Sequence, residues 1–158
     1  MITASVPELR RELADYPPEE LMALTLRLAR FKKENKELLS YLLFDAHNED
    51  GYVDKVKADI DEQFAEINTS SYYFIKKSVR KILKGVKKHI RFSQSKETEV
   101  ALLIHFCRNL KQLRPRYTGN QVLINTFNNQ IRLAKTTMGK LHEDLQYDYQ
   151  LELDELLQ

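Results

Sequence analysis

A chain of 158 residues with 42% hydrophobic residues, and only four Gly and four Pro, is long enough to bury a core and too apolar to be intrinsically disordered. Its single cysteine, Cys107, excludes an intramolecular disulfide framework and fits a reducing compartment, so the cytoplasm is the expected location. The net charge of +2 hides a polarised distribution: residues 1–66 hold nine Lys/Arg against fifteen Asp/Glu, residues 67–140 hold sixteen against two, and residues 141–158 hold six acids and no Lys or Arg.

The N-terminal residues lack the basic-then-apolar pattern of a secretory signal. No apolar stretch approaches the ~20 residues needed to span a bilayer, so no membrane span is expected. The first helix is expected after Ser5, whose hydroxyl and the Glu8 carboxylate three residues on form a capping box. Pro17-Pro18 breaks the chain and starts a second helix, with Leu21, Leu24, Leu28 and Phe31 recurring at helical spacing. A third, about 34–46, contains Leu38, Leu39, Tyr41, Leu42, Leu43 and Phe44. It is apolar nearly all round and is expected to be the central buried element.

After a turn at residues 47–51, a fourth helix carries Val53, Val56, Ile60, Phe64 and Ile67 on one face. The polar connector Asn68-Thr69-Ser70-Ser71 leads to a fifth helix, about 72–92, antiparallel to the fourth. Ser95 caps a sixth, carrying Leu102, Leu103, Phe106, Leu110 and Leu113 and ending before Pro115. From Asn120, the positions Ile124, Phe127, Ile131, Ala134, Met138, Leu141 and Leu145 alternate at spacings of three and four. That register predicts one long C-terminal helix from about 120 to 156, ~54 Å if continuous, with a weak spot at Gly139. Its seam is expected to pack within the domain; the alternative is a homodimer through this C-terminal helix.

Residues 37–44 echo residues 99–106 at an offset of 62: both run Glu, apolar, two variable positions, two apolar, one variable, Phe. Stacked helical hairpins of the HEAT or armadillo sort produce such echoes. The expected fold is therefore all-α: a single domain, 1–158, of six or seven helices in antiparallel hairpins, with a short HEAT/armadillo-like α-α superhelical stack as one arrangement and an irregular helical bundle as the other.

The fifth helix carries the strongest functional signal. At 100° per residue, Lys76, Lys77, Arg80, Lys81, Lys84, Lys87, Lys88 and Arg91 share an arc of about 140°, and the apolar side chains occupy another. Eight cations without an interspersed acid repel one another, by a few tenths of a kcal/mol per close pair. Such a face is either solvated surface or a seat for an anionic partner. Phosphate backbones attract Lys/Arg clusters through counterion release, and Tyr72, Tyr73 and Phe74 stand where unpaired bases could stack. Arg108, Lys111, Arg114 and Arg116 are accessory candidates for the same surface.

Metal and catalytic motifs fail on spacing. A calcium loop centred on Gly51 would put Ala46 and Lys57 at its two anchor positions, where carboxylates are required. His105 and Cys107 lie ~200° apart on a helix and cannot share a zinc ion. No phosphate loop, nucleophile elbow or paired His-Glu motif occurs. The expectation is a non-enzymatic helical interaction or scaffolding module that binds a protein partner, without metal or cofactor. The alternative is a nucleic-acid-binding protein using the basic face at about 76–91.

Overall fold

The computed structural model describes residues 2–158, and among these there are eight α-helices and no strand. They are α1 Val6–Leu13, α2 Pro18–Phe31, α3 Lys33–Ser40, α4 Glu49–Ala65, α5 Tyr72–Ser93, α6 Lys96–Gln112, α7 Gln121–Met138 and α8 Glu143–Leu157. A π-helical turn at Tyr41–Asp45 follows α3, and a 3-10 turn at Tyr117–Gly119 precedes α7. The all-α class read from the sequence is correct. In place of the single domain expected over 1–158, the chain divides into two compact units, ending and beginning at Phe44 and Asp45.

The N-terminal unit holds α1–α3. The capping box at Ser5 forms in both directions, with Glu8 accepting from the Ser5 amide and the Ser5 hydroxyl accepting from the Glu8 amide. Lys32 bends the chain between α2 and α3, and the Asn35 amide donates to the Leu28 carbonyl, satisfying one orphan acceptor at the end of α2. The expectation that the third helix is the central buried element is wrong. Tyr41 is buried there, but Leu42, Leu43 and Phe44 are exposed. Four of the eight residues of α3 are charged, whereas in α6 the eight residues between Glu99 and Arg108 hold no Asp, Glu, Lys or Arg, so only the latter offers a run that a core can take without desolvating charge.

The C-terminal unit is a bundle built around α6. Val100, Leu102, Leu103, Ile104, Phe106, Cys107 and Leu110 are all completely buried. Side-chain contacts fix the directions of its neighbours. Glu49 meets Thr98 and Asp61 meets His105, so α4 runs parallel to α6. Tyr52 at the start of α4 meets His89 near the end of α5, so that pair is antiparallel as expected. Glu99 meets Thr137, making α7 antiparallel to α6, whereas Glu97–Tyr149 and Lys111–Leu156 make α8 parallel to it. The link before α7 is tight: Tyr72 donates to the Arg116 carbonyl at 2.9 Å, and any Cβ on Gly119 would run into that tyrosine hydroxyl.

The two halves of the sequence echo occupy unlike places. Residues 99–106 lie in the centre of the bundle, while residues 42–44 stand in solvent on the π turn. The pattern reports amphipathicity and gives no support to a repeat stack.

The long helix expected over 120–156 is two helices. The chain leaves helical geometry after Met138, and His142 caps α8 by accepting from the Asp144 amide through Nδ1. Glu143 and Asp144 then place acids in the first turn, where the helix dipole favours them. Gln146 closes the break by donating to the carbonyls of Gly139 and Leu141. An N-cap competes with helix continuation, and here it wins over an uninterrupted apolar register. Most of that register (Phe127, Ile131, Ala134 and Met138) is buried within the unit, so the seam is not free to make the homodimer considered for it.

One buried side-chain atom is unsatisfied among the described residues: Oε1 of Gln130 on α7. A buried acceptor without a partner costs roughly 1–3 kcal/mol, and methionine has similar length without the amide. Gln130→Met is therefore expected to raise stability by about 1 kcal/mol, read as a higher urea midpoint at unchanged slope.

Candidate functional site

The basic face of α5 is built by a helix whose opposite face is fully spent. Ser71 caps its start, and Ile75, Val79, Ile82 and Val86 are buried against the bundle. With the apolar arc anchored, the cationic arc has to face outward. Lys77, Arg80, Lys81, Lys84 and Arg91 are exposed, while Lys76, Lys87 and Lys88 are half-buried. Among the described residues, no carboxylate oxygen lies within 4.0 Å of a charged nitrogen of Lys76, Lys77, Arg80, Lys81, Lys84, Lys87 or Arg91.

Several acids of the neighbouring segments are engaged elsewhere. Asp61 accepts from His105 at 2.6 Å and from Asn109 at 2.9 Å. Burial acts to raise its pKa, but the hydrogen bonds from Asn109 and His105 outweigh that and hold it below the usual aspartate value. Asp45 pairs with Lys55, Glu97 accepts from Tyr149, and Glu152 pairs with Arg108. Asp61 of α4 and Glu152 of α8 are thus turned toward α6 and away from the stripe.

At Lys87 the stripe meets α7. Burial lowers the pKa of this lysine, with Glu99 as the nearby charge acting in the other direction. It lines a shallow cavity of about 370 Å³ with Asn129, Gln130 and Arg132.

The four accessory cations converge on a different cavity, of about 500 Å³, together with Tyr117 and the last turn of α8. Two of them serve there as caps, and Arg108 pairs with Glu152. Lys111 donates to the carbonyls of Leu156 and Gln158 at the end of α8, and Arg114 Nη1 donates to those of Lys111, Gln112 and Leu113 at the end of α6. Cations at helix C-termini satisfy orphan carbonyls and oppose the dipole. Of the aromatic residues at the start of α5, Tyr73 and Phe74 are exposed, while the Tyr72 hydroxyl is committed to Arg116.

Two further clusters complete the inventory. A cavity of about 420 Å³ is lined by Glu49, Asp50, Asp54 and Glu97 with Ser95, Thr98 and Tyr149. Glu49 accepts there from both Ser93 and Thr98, which ties α4 to the α5–α6 junction. No group of three or more His, Cys, Asp or Glu among the described residues is placed to hold a metal ion. Cys107 is fully buried, and burial pushes its thiol up to about 12, the behaviour of a small hydrophobe and not of a nucleophile. No helix among the described residues is long and apolar enough to cross a membrane.

The surface that the sequence reading missed lies in the N-terminal unit. Thirteen of the nineteen large hydrophobic side chains left exposed in residues 2–158 precede residue 45. In the same segment only Ala29 and Tyr41 are buried apolar residues. On α2, Leu28 is 64% and Phe31 is 78% exposed. Their helical spacing was visible in the sequence, but periodicity alone does not say whether a face meets a core or a partner.

Compared with known families, with curated proteins and with solved structures, the chain matches none.

Proposed function

We propose that this chain is a non-enzymatic helical interaction module that docks a protein partner through the apolar surface of its N-terminal unit. The observation that carries the reading is the concentration of exposed hydrophobic side chains before residue 45, beside almost no buried ones. Exposed large apolar side chains in such number are costly to keep in water, and apolar surface of this kind marks interaction sites. The C-terminal unit, with its own core on α6, acts as the folded body that carries the docking segment. The cytoplasm is its proposed location, on the strength of a single cysteine held as a buried thiol.

Site-specific photo-crosslinking in cells tests this, with a benzophenone side chain at Leu28 and, as control, at the exposed Leu151 of α8. Discrete protein adducts at Leu28 and none at Leu151 are the expected result. Absence of adducts at Leu28 would remove the reading.

A second reading is favoured by the exposed cations Lys77, Arg80, Lys81, Lys84 and Arg91 on α5: nucleic acid bound through its phosphates. The six-to-two excess of Lys over Arg suits backbone contact more than base readout. Labelled single- and double-stranded nucleic acid, titrated at low and near-physiological salt, decides it. Binding that weakens steeply with salt and is lost in a folded Lys84→Glu, Lys87→Glu, Lys88→Glu variant would support it; no binding at low salt would dismiss it.

A further inference from the structure

The docking helix carries enough information to name its partner. On α2, Leu21, Leu24, Leu28 and Phe31 are spaced three, four and three apart, the a and d positions of two heptads. Leu21 is half-buried, and the other three are exposed. In that register Glu20 and Arg27 occupy successive g positions on one edge of the seam, while Thr25 falls on the other edge. When two such helices pair antiparallel, g edge meets g edge, so Glu20 of each copy faces Arg27 of the other, twice. Parallel pairing would set Glu20 against Thr25 and leave Arg27 without a helical partner on the other edge, so neither charge would be matched.

The charge of the whole N-terminal unit repeats this logic. Residues 2–20 hold two basic and five acidic side chains, and residues 21–44 hold five basic and two acidic. The unit is neutral overall but polarised along the sequence, and α2 runs from its acidic pair Glu19-Glu20 to Arg27 and Arg30. A generally acidic or basic partner finds no net charge to select. A second copy laid antiparallel matches both ends at once and also opposes the two helix dipoles.

We propose that the partner docked by α2 is a second copy of this chain, joined as an antiparallel helix pair about a two-fold axis. This rests on the docking role argued above. The interface is isologous: each copy presents the same seam and the same edge. Because α2 is only ~21 Å long, the pair is short beside the ~800 Å² per partner of a standard interface, and the dimer is weak and concentration-dependent.

Sedimentation of the full chain over roughly 1–500 µM tests the proposal. The expected result is a reversible monomer–dimer equilibrium. Glu20→Arg alone, or Arg27→Glu alone, places like charges opposite each other at both ends of the pair and is expected to weaken association about tenfold or more. An equimolar mixture of these two variants, or the double variant Glu20→Arg/Arg27→Glu, is expected to restore it. Both positions lie on the exposed surface, and circular dichroism verifies that each variant is folded. A chain that stays monomeric throughout, or a dimer indifferent to both reversals, overturns the proposal. If the chain is monomeric yet Leu28 crosslinks to another protein, only the second copy is overturned; if Leu28 crosslinks to nothing, the docking role falls with it.

Discussion

Phe106→Ala is expected to destabilise the C-terminal unit by about 3–5 kcal/mol, enough to threaten a fold of ordinary stability. Its ring is completely buried and meets Phe64 edge-to-face, with centroids 5.6 Å apart. Truncation would remove apolar area from the centre of the bundle, open a cavity that α6 cannot close, and delete an aromatic pair worth about 0.5–1.5 kcal/mol. Phe44, its counterpart in the sequence echo, is 70% exposed, and Phe44→Ala should change stability by no more than about 0.5 kcal/mol. Urea denaturation of the two variants side by side measures the contrast. Similar losses in both would mean that Phe44 is also packed in solution.

Glu49→Ala is expected to cost about 2–3 kcal/mol, from a single side chain at the mouth of a surface cavity. Its carboxylate accepts from Ser93 at 2.7 Å and from Thr98 at 3.1 Å, and Thr98 is itself buried. Alanine would leave the Thr98 hydroxyl without this acceptor and untie the start of α4 from the α5–α6 junction. Acids in a first helical turn also gain from the dipole, by about 0.3–1 kcal/mol, which alanine forfeits. Glu49→Gln keeps one acceptor oxygen, so a loss of less than about 1.5 kcal/mol is expected there. Equal losses for the two variants would show that the hydrogen bonds matter less than the charge.

Helix positions were legible from the sequence because they depend on nearest neighbours: Ser5, Ser71 and Ser95 cap where their spacing to the next apolar run says they should. The split at Gly139 was written just as locally, in His142-Glu143-Asp144. It went unread because the apolar register across it is unbroken. Which apolar segment becomes the centre was not legible, since residues 37–44 and 99–106 share a pattern and each follows a charged helix start. The basic arc of α5 could be drawn on a wheel, and its outward orientation followed from the apolar arc opposite. That Lys111 and Arg114 close helix ends could not be foreseen, because the carbonyls they reach depend on how α6 ends and where α8 comes to lie. The same limit hid the docking surface. A wheel finds an apolar face, and only the packed chain says whether anything covers it.

The contrast between α6 and α2 also sets how this sequence can drift over generations. Along α6, the seven side chains sealed from water leave almost no substitution neutral, whatever the protein does. Along α2, the fold of a lone chain places little demand on Leu28 and Phe31, which are mostly exposed, so without an external use they would be exchanged freely for polar residues. Selection for an occupied seam would leave its own record: those two positions held hydrophobic, and Glu20 changing sign only in lineages where Arg27 changes too.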